Sequence, residues 1–219
     1  ERIAKRLILN YPLKLKSLFM KKFLLSFLAL FLSNLVFSQS DSGDFTIAPN
    51  IGVHLSRYYT SGTDNFKSRT SIGAGVNTDY FLSESWSLRS GLIYDTKGTK
   101  DDFDFTDKLS YLTIPAQANW HFGGNKNWYL NFGPTISFLL NAEGVDPDGN
   151  TIDIKDLLKS TDFGFGFGIG HMFEISDDFK IFIDYQGIGG FVDILKDEDA
   201  IRDLQNIRTS FNIGGVFQL

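Results

Sequence analysis

The feature that most constrains this chain is a strict alternation of apolar and polar residues in eight separate runs after Asp44. A period of two is that of a β-strand, because successive side chains of a strand point to opposite faces. The first run spans residues 45–55, and the other seven lie at 72–82, 86–95, 111–122, 128–140, 163–173, 179–186 and 207–219. The pattern predicts an all-β chain whose strands each have one apolar face and one small or polar face.

The composition supports strands over helices. The chain has 22 Phe, 8 Tyr and 21 Gly beside 2 Met and no Cys, which favours aromatic strands punctuated by glycine. A mean hydropathy of −0.08 excludes a polytopic helical membrane protein, and 42% hydrophobic residues exclude a disordered chain. Without cysteine there is no disulfide, thiolate nucleophile or Cys-ligated metal, and we expect no cofactor.

The links between the runs alternate in length. Long polar links at 58–68, 98–107, 141–161 and 193–206 alternate with short ones at 83–85, 123–127 and 176–178. Runs of about ten residues match a tilted strand that crosses a bilayer, and outer-membrane barrels have short periplasmic turns and longer external loops. The sequence therefore predicts an eight-stranded antiparallel up-and-down transmembrane β-barrel. A soluble secreted calycin-like ligand binder is the alternative with the same alternation.

The N-terminal segment predicts export. Met20, Lys21 and Lys22 precede a mostly apolar stretch that ends near Ser38, the layout of a signal peptide at 20–38. Residues 1–19 are interpreted as an over-extended gene model, which leaves 39–219 as the barrel domain. Residues 1–38 hold seven of the 21 basic residues and one of the 26 acidic residues, so the remainder has 14 and 25 and a net charge of −11. This charge disfavours nucleic acid as a partner.

Several segments resemble a known family. Gly91–Tyr94 with Lys97 and Gly98, followed by the Tyr-Leu-Thr-Ile-Pro sequence of Tyr111–Pro115, resembles the Bacteroidota outer-membrane β-barrel family called PorT-like. The resemblance implies an integral protein of the outer membrane of a Gram-negative bacterium. Its expected partners are outer-membrane lipid and lipopolysaccharide, the barrel assembly machinery, and an envelope protein that the sequence does not identify. An even strand count with all long links on one side predicts that both termini are periplasmic.

The polar faces place a set of charged and hydrogen-bonding residues in the lumen. By position these are Asp79, Arg89, Asp95, Tyr111, His121, Lys180, Asp184 and Arg208. An unpaired charge inside a narrow barrel is costly, so we expect Arg89 or Arg208 to pair with Asp79 or Asp184. Glycines at alternate positions of the sixth run are expected to leave room for Tyr111 or Arg89; they are Gly164, Gly166, Gly168 and Gly170. Eight strands enclose an interior that side chains can fill, which predicts a plugged lumen.

The motifs give no support to an enzyme. There is no Gly-x-Ser-x-Gly sequence, and His54, His121 and His171 lie on three different runs without a metal-ligand spacing. The stretch from Asp146 resembles a calcium loop, but Thr151 and Leu157 stand where that loop needs Gly and Glu, so a turn is expected. The sequence predicts a binding or scaffolding component of the cell envelope without a wide pore. A solute channel and a membrane-embedded lipid-modifying enzyme are the alternatives.

Overall fold

The computed structural model describes residues 43–60, 66–197 and 203–219. The predicted signal peptide at 20–38 and the preceding residues 1–19 lie outside these ranges. The strands are Phe45–Tyr59 (β1), Arg69–Ser83 (β2), Trp86–Lys100 (β3), Thr106–Pro115 (β4), Gln117–Phe122 (β5), Trp128–Val145 (β6), Thr151–Asp153 (β7), Thr161–Ser176 (β8), Phe179–Gly190 (β9) and Gln205–Gln218 (β10). A short 3-10 helix spans Lys155–Leu157. No helix within these described ranges is long and apolar enough to span a membrane.

The strands form one closed antiparallel ring. Strand β1 pairs with both β2 and β10, and the ring continues from β10 through β9, β8 and β6, then through β4 and β5 to β3 and back to β2. Strands β4 and β5 together occupy one position, since each pairs with both β3 and β6. Strand β7 adds three residues to the edge of β6. The predicted eight-stranded up-and-down barrel is confirmed, with one wall divided in two.

The division between β4 and β5 has a local cause. Pro115 has no N–H to donate, which interrupts the hydrogen-bond ladder. Ala116 restores contact by donating its N–H to the carbonyl of Pro134 at 2.9 Å. Directly opposite, a side chain on Gly133 would lie 2.7 Å from the Cα of Gln117, so only glycine allows the two strands to approach here.

The connections divide the barrel into two ends. Residues 84–85, 123–127 and 177–178 form the short-turn end. The described parts of the loop end are loop 1 (60 and 66–68), loop 2 (101–105), loop 3 (146–160) and loop 4 (191–197 and 203–204). Loop 2 is shorter than the predicted link at 98–107 because β3 continues to Lys100. The other three long links follow the predicted alternation, whereas loop 2, with five residues, is no longer than the turn at 123–127.

The outer wall is apolar and the inside is polar. In β1, Ile51, Val53 and Leu55 are exposed, whereas the alternate residues, among them His54 and Ser56, are buried. A soluble barrel would bury its apolar face instead. The outward apolar face is that of a wall surrounded by lipid.

A belt of stacked rings surrounds much of this wall near the short-turn end. Consecutive ring centroids lie 4.6 to 6.3 Å apart, and the aromatic belt consists of Trp86, Trp120, Phe122, Trp128, His171 and Phe173. All three tryptophans of the chain belong to it. Such belts sit at the membrane–water interface, so the aromatic belt marks one boundary of the membrane.

Candidate functional site

The lumen contains a buried ion pair near the short-turn end. Asp79 and Arg89 are directly opposite each other on β2 and β3, and Arg89 Nη2 lies 2.9 Å from Asp79 Oδ2. Ser87 Oγ and Asn119 Nδ2 also donate to Asp79 Oδ1, at 3.1 and 3.0 Å. The guanidinium of Arg89 stacks over the ring of Tyr129 at 4.6 Å. The buried charges are therefore paired and hydrogen-bonded, as burial requires.

A second cluster surrounds Asp95, closer to the loop end of the lumen. Its Oδ1 lies 3.0 Å from Arg208 Nε and 3.3 Å from His54 Nδ1. The contact with Arg208 is an ion pair in which Nε does not hydrogen-bond to Oδ1. Thr113 Oγ1 donates to the other oxygen, Oδ2, at 3.1 Å, and Lys97 Nζ lies 3.9 Å from it. Asp95 thus joins β3 to β10 across the lumen.

The cluster extends to two residues that the sequence analysis missed. Lys97 Nζ lies 2.9 Å from Asp162 Oδ2, and both side chains are buried. Asn206 Nδ2 donates to the same oxygen at 2.9 Å. Lys97 and Asp162 follow the alternation of lumen residues in their strands. The alternation in the sequence could have identified both residues. Extending the third run by two residues would have included Lys97, and extending the sixth run by one residue would have included Asp162.

Asp184 corrects one expected pairing. It accepts hydrogen bonds from Tyr129 Oη at 2.8 Å, Gln186 Nε2 at 2.8 Å and Asn212 Nδ2 at 2.7 Å, with no cation in contact among the described residues. The expected pair of Arg89 with Asp79 is present, but Arg208 contacts Asp95. Asp184 faces Asn212 on β10. Arg208 lies four positions earlier on the same strand, about 13 Å away along the strand, so it is not opposite Asp184.

The buried side chains grouped around Asp79, Asp95 and Asp184 together form the polar lattice of the lumen. Lys180 lies apart from it, at the short-turn end of the barrel. Its side chain is 28% exposed, and its Nζ lies 3.4 Å from Glu174 Oε1. It lines a cavity of about 270 Å³ at the short-turn end, whose lining includes Asp44, Glu84 and His121. The parity of Lys180 points inward, but its place near the turn at 177–178 sets it outside the interior network.

His121 brings a serine and an aspartate together without forming a catalytic triad. His121 Nε2 lies 3.0 Å from Ser87 Oγ and 3.2 Å from Asn119 Nδ2. A triad requires the carboxylate to orient the imidazole, whereas Asp79 contacts the serine here. Ser87 is only 1% exposed. Within the described ranges no three His, Asp or Glu residues are placed to hold a metal ion.

The alternate glycines of β8 accommodate different neighbours from those expected. A side chain on Gly166 would collide with Gln117, on Gly168 with Gln186, and on Gly170 with Tyr129. The expectation that these glycines leave room for the side chain of Tyr111 or Arg89 was wrong. Tyr129 is the direct cross-strand partner of Gly170, whereas Tyr111 lies on β4, one strand farther away.

An apolar cluster, the loop-end plug, closes the other end of the lumen. Inward residues of the barrel wall pack against loops 3 and 4, and its members are Tyr58, Leu109, Tyr111, Leu139, Ala142, Leu158 and Ile194, with Phe66, Ile154, Leu195 and Leu204 at its edge. The two loops hold each other, because Lys159 donates its N–H to Ile194 O at 2.7 Å and Lys196 donates to Leu157 O at 3.0 Å. Tyr111 belongs to this plug and also contacts the polar network in which it was expected, since Asn206 Nδ2 donates to its Oη at 3.4 Å and Lys97 Nζ lies 4.7 Å from its ring centroid.

Little empty space remains in the lumen among the polar side chains and the loop-end plug. A cavity of about 40 Å³ in the middle of the lumen is lined by residues that include His54, Arg89 and Arg208. Asn77 Oδ1 and Thr135 Oγ1, from two other lining residues, have no protein partner. A polar cavity of this size accommodates water but no larger solute.

Comparison with solved structures finds similar outer-membrane proteins. The chain is similar to OprG of Pseudomonas aeruginosa, with 12% identity, 82% of this chain and 97% of that chain covered, and a TM-score of 0.48. It is similar to Neisserial surface protein A, with 13% identity, 78% and 94% coverage, and a TM-score of 0.47. A third similar structure is Ail of Yersinia pestis in complex with the heparin analogue sucrose octasulfate, with 15% identity, 80% and 99% coverage, and a TM-score of 0.43.

Comparison with curated protein sequences finds no match. The family model for the outer membrane protein beta-barrel domain matches residues 37–196, well over half of the chain. This match agrees with the closed ring of strands and the outward apolar wall. The chain therefore belongs to the outer membrane protein β-barrel domain family and is a protein of the outer membrane.

Proposed function

We propose that this protein is a non-conducting barrel that serves the envelope as a binding or scaffolding component. The observation that carries the proposal is the double closure of the lumen. The polar lattice fills the middle, and the loop-end plug covers it with apolar side chains from two loops. A solute would have to displace both, so the surfaces available for function are the loops and the outer wall.

The loops present apolar side chains to the outside. Large exposed side chains at the loop end include Phe103, Phe105, Ile152, Leu157 and Phe191. Loop 2 holds its two phenylalanines on an ordered turn, since Asp101 Oδ1 accepts the N–H groups of both at 2.8 and 2.9 Å. Exposed apolar groups on an ordered surface favour contact with another protein, which supports an envelope partner as the ligand.

Three lysines support contact with the anionic lipopolysaccharide of the outer leaflet. Lys155, Lys159 and Lys196 flank the contact between loops 3 and 4 and make no ion pair with a described residue. Lys155 Nζ donates to the carbonyl of Leu140 at 2.6 Å, and the side chain of Leu140 faces outward on the wall. This ammonium therefore lies at the rim where lipid phosphates would meet the barrel.

The orientation and the finer family belong to the same proposal. We place both termini and the short turns in the periplasm, as the alternation of links favours. Tags inserted near Asn150 should be labelled on intact cells, whereas tags at Ser85 should not. The reverse pattern would contradict this orientation.

The segment Tyr111–Pro115 supports the proposal that the chain is a PorT-like Bacteroidota member. The burial of Ser87, the serine beside His121, supports the proposal that the protein has no enzymatic activity.

Single-channel recording in a planar bilayer tests the closed lumen. We expect no stable conductance from the folded protein, with a general porin added afterwards as a check that the bilayer accepts barrels. Reproducible large openings would contradict the proposal and favour the solute channel. Proximity labelling from a tag in loop 3 on intact cells would then identify the partner of the loops.

A further inference from the structure

The outer wall carries an apolar groove near the aromatic belt. The groove crosses β8, β9 and β10 and has a volume of about 500 Å³. Its lining consists of Trp128, Ile169, Gly170, His171, Ile183, Asp184, Tyr185, Phe211, Asn212 and Ile213. The side chain of Asn212 donates a hydrogen bond to Asp184 inside the barrel. The side chains that face the groove are therefore apolar or aromatic.

The groove follows from the order of large and small residues along neighbouring strands. One cross-strand row reads His171, Ile183 and Ile213, and the next row reads Ile169, Tyr185 and Phe211. The ring of His171 therefore lies at one end of the first row, and the rings of Tyr185 and Phe211 lie at the other end of the second row. Trp128 and His171 pack at 4.7 Å on one side, and Tyr185 and Phe211 pack at 4.9 Å on the other. The smaller isoleucines leave a depression between the two ring pairs, and the backbone of Gly170 lies at its floor.

One end of the groove is polar. His171 contacts the rings of Trp128 and Phe173, and no described residue hydrogen-bonds to its imidazole. Its Nδ1 is buried, so Nε2 is the nitrogen that remains open to a hydrogen-bond partner. Trp128 and His171 belong to the aromatic belt, whereas Tyr185 and Phe211 lie farther along the strands toward the loop end. The groove therefore begins at the membrane interface with a group that can hydrogen-bond and continues into the apolar layer.

We propose that the groove binds a glycerophospholipid, with one acyl chain between the two ring pairs and an ester or phosphate oxygen near His171. The bilayer surrounds this wall, so lipid is the molecule available to fill the groove. The proposal uses the orientation given above. With the short turns in the periplasm, the belt meets the inner leaflet, which consists of phospholipid rather than glycolipid.

The three tryptophans provide the probe. Trp128 lines the groove, whereas Trp86 lies in the same belt on β3. The double variants W86F/W120F and W120F/W128F each retain one of these two residues. Phospholipid with brominated acyl chains is titrated into each folded, delipidated protein in detergent micelles. We expect quenching of Trp128 to reach half its maximum at a lipid-to-detergent ratio at least threefold lower than that of Trp86.

Substitutions in the W86F/W120F background test the groove itself. Ile183→Phe fills the depression and should raise the half-maximal ratio to that of Trp86, while Val76→Phe, an outward position on β2, should leave it unchanged. His171→Phe keeps a ring but removes its nitrogens. It should weaken binding about fivefold, which corresponds to one hydrogen bond of about 1 kcal/mol.

Three results would overturn the proposal. They are equal quenching of Trp128 and Trp86, an equal loss in the Val76→Phe and Ile183→Phe variants, and displacement of the brominated lipid by lipopolysaccharide at a lower molar ratio than by phospholipid. The last result would assign the groove to glycolipid. None of them bears on conductance, so this site and the closed lumen can fail separately.

Discussion

The two closures of the lumen block it by opposite chemistry. The polar lattice consists of residues on strands, such as Asp79 with Arg89 and Asp95 with Arg208, whose positions are fixed by the sheet. The loop-end plug is apolar, and half of it comes from loops. A lattice of paired charges fails when one charge loses its partner, whereas an apolar plug fails by degrees as contacts are removed. The two regions should therefore respond differently to single substitutions.

The largest effect is expected at Asp95. Asp95→Asn preserves shape but removes the charge that faces Arg208 and His54, and Lys97 retains Asp162. Arg208 is then a buried cation without an ionic partner among the described residues. We expect the free energy of unfolding to fall by about 3–5 kcal/mol, measured by urea unfolding in lipid vesicles with tryptophan fluorescence.

An exposed ion pair provides the control for this substitution. Asp104 Oδ1 in loop 2 lies 2.8 Å from the Nζ of Lys100 at the end of β3, and the side chains of Asp104 and Lys100 are 67% and 43% exposed. Hydrogen bonding to Lys100 lowers the pKa of Asp104 from its ordinary value, yet Asp104→Asn should leave stability unchanged within error. If Asp95→Asn folds poorly, the double variant Asp95→Asn/Arg208→Met should recover folding, seen as heat-modifiable migration in gels. Equal effects at Asp95 and Asp104 would refute the lattice as a stability element.

A smaller and more local effect is expected in the loop-end plug. Leu158 is 4% exposed and Leu157, its neighbour, is 63% exposed. Leu158→Ala should lower the free energy that holds loops 3 and 4 closed by about 2–4 kcal/mol, whereas Leu157→Ala should change it by less than about 0.5 kcal/mol. Hydrogen exchange at the amides of Lys159 and Lys196 measures the opening, because their N–H groups donate across the two loops to Ile194 O and Leu157 O.

The same variant separates the two closures. With the polar lattice intact, the Leu158→Ala protein should remain without conductance although its loops open more often. Large openings in this variant alone would show that the plug, and not the lattice, seals the lumen.

The sequence predicted which face of each strand points inward, because that depends only on a period of two. His54, Asp79 and Asp95 are therefore where the alternation placed them. The partners were less predictable. Arg208 and Asp95 lie on β10 and β3, which are not neighbours in the ring, and the curvature of a closed barrel is absent from a linear pattern. Asp79 with Arg89 was easier, since the two are joined by a short turn.

The loop-end plug escaped the sequence analysis for a different reason. Leu158 and Ile194 lie in segments rich in Asp, such as Asp153, Asp156 and Asp193, and the segments were interpreted as solvated loops. Single apolar residues in an acidic loop have no periodicity to reveal them. Their burial depends on the loop turning back over the barrel, as when Asp193 Oδ1 accepts the N–H groups of Leu195 and Leu204.

The smallest effect concerns how tightly the polar lattice is packed against β8, and two glycines give a matched pair. A methyl group on Gly170 would meet the Tyr129 ring and lie 2.7 Å from the Cβ of Asp184, whereas a methyl group on Gly189 would meet nothing within 4 Å. Gly170→Ala must displace the phenol that donates to Asp184, so we expect a loss of about 1–3 kcal/mol in the free energy of unfolding. Gly189→Ala should be neutral or slightly stabilising, since alanine restricts the unfolded chain. Urea unfolding of both variants in the same vesicles measures the difference. If Gly170→Ala is as stable as Gly189→Ala, the lattice is loose enough to admit a methyl group, and its closure of the lumen would then depend on charge pairing rather than on packing.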